Sequence, residues 1–281
     1  MNLMVVEEKG REGYYWHTPE LQNMIDKPFH RNYRAIKSGP NSGYSDWAYI
    51  VDHEYAQMPE YYTRAFLMIQ ESLQRLFEYV EPCDQNMNTH SFKIYELFVR
   101  TCIELEANFK AILRENTYSR DERNWTIRDY RLVNKTHHLD DYYVTIPIWK
   151  GDRKTFQPFK DWSNPETPLS WYQDYNACKH DRQQNFQRAT FENLLSAITG
   201  LLVLLSSQFR DNSFSPGGMS LGVKTDSYYE GEFGLGDFFI IRYPQNWTEE
   251  EVYDFNWSNL KDEANRFQKI DYDAISENSS N

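Results

Sequence analysis

Residues 91–115 read SFKIYELFVRTCIELEANFKAILRE, with Phe92, Tyr95, Phe98, Val99, Cys102, Leu105, Phe109 and Ile112 recurring at intervals of three and four. That spacing draws one apolar stripe along an α-helix of more than five turns. Ser91, or Thr89 just before it, offers the side-chain oxygen that caps such a helix. Upstream, Tyr62, Phe66, Ile69, Leu73, Leu76 and Phe77 keep the same period from Met58-Pro59 to about Val80, and Pro82 stops it. The short link between these two helices predicts an antiparallel pair. Downstream, Thr167-Pro168 reads as cap and first residue of a helix from Leu169 to about Arg182. The most apolar stretch, about Asn185 to Phe209, predicts a helix at the centre of the bundle. Phe98, Cys102, Leu105, Leu195, Ile198, Leu202 and Leu205 are the expected core.

Outside these helices the periodicity fades. Residues 1–55 form an aromatic-rich segment in which Tyr14, Tyr15, Trp16, Trp47 and Tyr49 are expected to cover another surface. Thr126 reads as the cap of a short helix through Val133, and Tyr143 to Ile146 as a brief strand ending at Pro147. After a turn-rich link at Ser213–Gly218, Phe238 to Ile241 reads as a strand, preceded by turn glycines Gly231, Gly234 and Gly236. Trp247 to Phe267 reads as an acidic helix or loop, and Ile275 to Asn281 as a frayed end. The His137-His138-Leu139-Asp140-Asp141 run reads as surface polarity, since adjacent loop side chains seldom converge on one ion. The fold class is therefore mainly α: an antiparallel helical bundle over 56–211, flanked by 1–55 and an acidic segment 212–281 that carry the short β elements.

The net charge of −12 is unevenly spread. Residues 1–55 carry 6 basic and 8 acidic side chains, 56–210 carry 19 and 20, and 211–281 carry 5 and 14. An acidic whole argues against non-specific nucleic-acid affinity, which needs Lys and Arg to displace counterions. The near-neutral middle leaves room for a local basic surface, and the acidic end offers a surface for a protein partner. No uninterrupted apolar run reaches the roughly 18 residues of a membrane span; Leu194 to Leu205 comes nearest, broken by Ser196, Thr199 and Gly200. The start, MNLMVVEEKGREG, lacks the apolar segment of a signal peptide. Cys83, Cys102 and Cys178 make no disulfide framework and match no zinc spacing. A cytoplasmic protein with reduced thiols, no membrane contact and no cofactor is expected.

The stretch richest in chemistry is Tyr175-Asn176-Ala177-Cys178-Lys179-His180-Asp181-Arg182. On a helix, Asn176 and His180 stand one turn apart on one face, as do Tyr175 and Lys179. An amide, an imidazole, a phenol and an ammonium so placed can hold a phosphate and offer His180 as general acid or base. Arg182 would assist in binding. On the long second helix Arg100, Glu104 and Asn108 follow at four-residue spacing, and Glu104 is expected beside His180. The alternative is structural: Asn176, Lys179 and His180 form a buried strut that ties this helix to its neighbours.

The segments ELFVRTCIELEANFKAIL, WYQDYNACKHDR and FENLLSAITGLLVLL, taken in order, resemble bacterial HEPN-type helical bundles, in which several uncharacterised families share the Tyr-Asn-x-x-Lys-His pattern. The resemblance covers residues 56–210. It implies an antiparallel bundle that forms a symmetric homodimer through bundle helices. It also implies RNA or nucleotide binding, and in many members metal-independent endoribonuclease activity in toxin or phage-defence systems. The catalytic motif of such bundles is an Arg, then four to six intervening residues, then the His. Here Gln173, Asp174 and Tyr175 occupy that window, and the nearest upstream Arg is Arg153. Asn176, Lys179 and His180 are then the catalytic candidates, with Tyr175, Arg182, Glu104, Asn108 and Arg100 around the substrate.

Overall fold

Ser91 Oγ accepts the backbone N–H of Ile94 at 3.2 Å and starts the longest helix, Phe92–Glu115. In the computed structural model, which describes residues 25–37, 48–214 and 231–278, the principal helices are α1 (Pro59–Leu76), α2 (Phe92–Glu115), α3 (Ser170–His180), α4 (Phe191–Phe209) and α5 (Tyr272–Asn278). Gln57, just ahead of α1, donates its backbone N–H to Glu115 at the far end of α2, so these two helices are antiparallel. At the other end of α2, the backbone N–H groups of Phe191 and Glu192 bond to the carbonyls of Thr89 and Met87, while Gln208 reaches Asn108. Thus α4 runs parallel to α2, and these two make the most extensive contact in the fold. Successive helices alternate in direction, yet the central pair is parallel, because α3 intervenes in the chain between them.

All seven expected core residues are fully buried. Leu194, Leu195, Ile198, Leu201, Leu202 and Leu205 are closed off together, as a helix apolar all round requires. By length and composition α4 could cross a bilayer, which the shorter run Leu194–Leu205 did not reveal, but the other elements enclose most of it. The three thiols are free.

Strands form where Tyr143–Ile146 and Phe238–Ile241 were expected, but the β elements are not confined to the flanking segments. β1 (Tyr143–Thr145) and β2 (Thr155–Phe156) lie within the 56–211 stretch and pair with β3 (Glu232–Phe233) and β4 (Ile240–Arg242) from the C-terminal segment. They make one antiparallel sheet of order β2-β1-β4-β3, in which Val144 stands opposite Ile241 and Phe156. Gly231 has φ +140°, and a Cβ there would lie 2.7 Å from the Ile241 carbonyl oxygen, so only glycine fits beside that strand. The described part of the N-terminal segment adds only isolated bridges, Ile25 and Ile36 to Tyr253 and Phe29 to Gln268.

Local chemistry explains the shifted boundaries. Thr167 is drawn into the preceding turn by its bond to Asn164, so α3 begins at Ser170 without a side-chain cap. Residues 182–188 form two short turns rather than the start of α4, with the Phe186 ring 4.9 Å from Phe92 and 5.7 Å from Tyr95. Thr190 then caps α4. Between Trp247 and Phe267 only Trp257–Leu260 forms a helical turn. Tyr253, Phe255 and Trp257 alternate along the chain and all meet Tyr49, an extended pattern. The chain end is helical through Asn278, held by buried Tyr272, whose hydroxyl lies 3.0 Å from Thr136 Oγ1. Tyr14, Tyr15, Trp16, Trp47, most of the Ser213–Gly218 link and residues 279–281 lie outside the described residues. The three stretches read from the sequence share one apolar core, to which Tyr55, Leu202 and Tyr253 all belong.

Candidate functional site

Helix α3 lies against the flank of α2 formed by Phe98, Cys102 and Glu106. Its own contact face is Trp171, Tyr172, Tyr175 and Cys178, all buried. Trp171 Nε1 donates to the Pro158 carbonyl at 2.8 Å, and the Tyr175 ring meets Phe98 edge-on at 6.2 Å. The helix ends where Asp181 leaves helical geometry and caps the next turn through Gln184 N–H.

Glu106 is the hub of this contact. Its Oε1 accepts the Tyr172 hydroxyl at 2.9 Å and lies 3.6 Å from Lys179 Nζ. The Lys179 ammonium also sits 5.1 Å from the centre of the Tyr175 ring. Burial, reinforced by the Glu106 charge, pushes the Tyr172 and Tyr175 phenols far above their ordinary range. Burial does the same to the Cys102 thiol, again with Glu106 adding to it. Both phenols are therefore neutral, Tyr172 donating to Glu106 while the buried Tyr175 hydroxyl makes no hydrogen bond of normal geometry, and Cys102 is an uncharged core residue.

The other members of the motif disperse. His180 and Lys179 are exposed and Asn176 is half-buried, and among the described hydrogen bonds none joins Asn176 to His180. The alternative reading of a buried strut is not met: the motif's end forms an exposed edge. Arg182 places its guanidinium 5.4 Å from the centre of the Phe92 ring. Arg188 pairs with Asp174 at 3.2 Å, and Asp174 also takes a hydrogen bond from Asn193.

Glu104 is not where the four-residue spacing placed it. Glu106 lies two positions after Glu104, and at about 100° per residue they leave α2 on nearly opposite flanks. Glu106 faces α3; Glu104 lines a shallow surface groove with Arg100, Ile103, Val99 and Phe92. Asn108 is fully buried, donating to the Glu104 carbonyl at 2.9 Å and accepting from Gln208 Nε2 at 3.3 Å. Arg100 and Glu104 therefore belong to the outer face of α2, and Asn108 to the core between α2 and α4. Glu106 and Tyr172 were missed, although the flank Phe98–Cys102–Glu106 is written in the same four-residue spacing.

The histidine-aspartate run also separates. His137 is fully buried between the Arg31 carbonyl, 2.8 Å from Nε2, and Thr136 Oγ1, 2.9 Å from Nδ1. His138 pairs with Glu251 at 2.9 Å. This run is thus a packed joint rather than solvated polarity. Among the described residues no three His, Cys, Asp or Glu side chains converge as metal ligands.

Compared with known proteins, the chain matches no family model, no curated protein and no solved structure.

Proposed function

We propose that this protein is a non-catalytic helical bundle that acts through self-association, with the outer face of α2 as its contact surface. One observation carries the reading: Phe92 and Ile103 are 66 % and 51 % exposed on that face, beside half-buried Tyr95 and Val99. Large apolar side chains clustered on one helix face mark an interaction surface. The occupant is a second copy, because the charges on this face complement themselves. Along α2 they run Lys93, Glu96, Arg100, Glu104, alternately positive and negative. Two antiparallel copies centred on Phe98 would bring Glu96 of each to the level of Arg100 of the other. Lys93 then falls within one residue of the level of Glu104, and Phe92 within one residue of Ile103. Among the described residues Arg100 and Glu104 have no ion-pair partner in their own chain. Light scattering and sedimentation equilibrium test this. The wild type should be a dimer, Arg100→Glu a monomer, and Glu96→Arg combined with Arg100→Glu a dimer again. A monomeric wild type at high concentration removes the reading.

The HEPN-type resemblance supplies a second reading, RNA or nucleotide binding at the end of α3, with metal-independent cleavage by His180 as its strongest form. The exposure of His180 beside Arg182 supports it. Lys179 speaks against it, since its charge is taken up by Glu106. RNA binding that weakens with salt and is lost in Arg182→Ala would favour this reading.

A further inference from the structure

Residues 25–37 cross the fold as an arm that makes isolated bridges and no strand. What the arm buries is inverted. Arg31 and Asn32 are fully buried and Arg34 is 6 % exposed, while Ile25, Phe29, Tyr33 and Ile36 stay only partly covered. We propose that the groove under this arm is a peptide-binding site read by Arg-Asn-x-Arg, filled in the isolated chain by its own residues 31–34 and able to take the same arm from a second copy. The inference is independent of self-association through α2.

The groove has the parts of a peptide receptor. Main-chain bonds grip the arm whatever its side chains: the N–H groups of His30, Arg31, Tyr33 and Lys37 donate to the carbonyls of Gln268, Tyr55, Ser207 and Tyr253. Side-chain pockets then supply selectivity. The Arg31 guanidinium enters a pocket made by the Glu115 carboxylate, the Gln208 amide and the Gln57 carbonyl, with the Phe209 ring 5.5 Å away. Asn32 donates to the Thr136 carbonyl at 3.0 Å, and Arg34 to the Glu251 carbonyl at 3.1 Å. An arginine seated in a closed pocket is a frequent anchor of a binding interface.

Two features mark this contact as one that opens. The first is its polarity. A segment built permanently into a core buries its apolar side chains, whereas contacts that form and break are more polar. Release returns water to Arg31, Glu115 and Gln208 and so recovers part of the cost of burying them, which an apolar contact does not offer. The second is the Arg31 backbone, left-handed at φ 54°, where a residue with a Cβ sits at a cost. The surrounding pocket holds that conformation, and release relaxes it. A second copy is the occupant in trans because its arm carries the sequence already seated in this groove.

The test is fluorescence anisotropy of a labelled peptide of residues 25–37, IDKPFHRNYRAIK, on the full chain. In the wild type the tethered arm competes at an effective concentration near millimolar. The Arg31→Ala chain, whose own arm has lost its anchor, should therefore bind the peptide about tenfold tighter than wild type or more. The same peptide carrying Arg31→Ala, or in scrambled order, should bind about tenfold more weakly or worse. Adding Glu115→Gln to the Arg31→Ala chain should remove binding. Melting curves show whether each chain is folded, and Arg31→Lys takes the place of Arg31→Ala if the latter is not. No binding by a folded variant, or equal binding of the peptide lacking Arg31, would overturn the proposal. Unfolding of both Arg31 variants would also overturn it, by making the arm a permanent part of the core.

Discussion

Arg31 Nε donates to Glu115 Oε1 at 2.6 Å, across an interface closed to water on the arginine side and nearly so on the glutamate side. The same guanidinium donates to Gln208 Oε1 at 3.0 Å and to the Gln57 carbonyl at 2.6 Å, and covers the Tyr62 ring at 4.7 Å. Through Arg31 the N-terminal segment is tied to the C-terminal ends of α2 and α4 and to the entry of α1.

Breaking one partner of a buried ion pair strands the other. Glu115→Ala should therefore lower stability by about 3–5 kcal/mol, while Arg31→Met with Glu115→Leu together should cost much less. Urea melts of the wild type, the single variant and the double variant check this. A loss under 1 kcal/mol in Glu115→Ala would show that Arg31 stays satisfied without it.

His137 sets a pH dependence. Burial lowers its pKa from 6.5 to about 3. In the unfolded chain the imidazole protonates near 6.5; in the folded protein it stays neutral down to about 3. The unfolded state thus binds more protons across that window, and stability falls as pH drops. The His137 contribution should be fully present above about pH 6.5 and be lost at up to about 1.4 kcal/mol per pH unit below it. His137→Gln should flatten this part of the curve relative to wild type, measured as denaturation midpoint against pH. Parallel curves for the two proteins would mean that other groups carry the acid response.

The docking of α3 separates two neighbours in the motif. Glu106→Ala leaves the Tyr172 hydroxyl without its acceptor and should cost about 1–3 kcal/mol. His180→Ala, at an exposed position, should stay within about 0.5 kcal/mol of wild type. Thermal melts of both variants give the comparison, and a large loss in His180→Ala would restore the strut. If RNA is cleaved, that same variant should abolish turnover with its melting point unmoved.

Leu202 is fully buried at the centre of α4, where it also comes close to Gly234 of the β3–β4 hairpin. Leu202→Ala should cost about 2–5 kcal/mol, the transfer energy plus that of the cavity left behind. Because bundle and sheet meet there, one cooperative transition should be lost as a whole. A near-UV signal that melts apart from the helical signal would show that the sheet unfolds separately.

The helices were legible because their apolar periods are strong and local. Phe98, Cys102 and Leu105, like Leu195, Ile198 and Leu202, could face only a core, and they do. The capping of α2 by Ser91 was equally readable, since a cap and its orphan N–H groups lie within one turn. Tertiary structure decided what depends on pairing between distant segments. β1 found its partner β4 about a hundred residues away, and no local signal records which extended run will satisfy its backbone groups. The site turned on a rotation of the same kind. Glu104 and Glu106 are alike as residues, and only the packing of α3 against the Phe98–Cys102 flank chose Glu106 for Tyr172 and Lys179. Sequence spacing fixes which side chains share a face; what that face meets is decided by the fold.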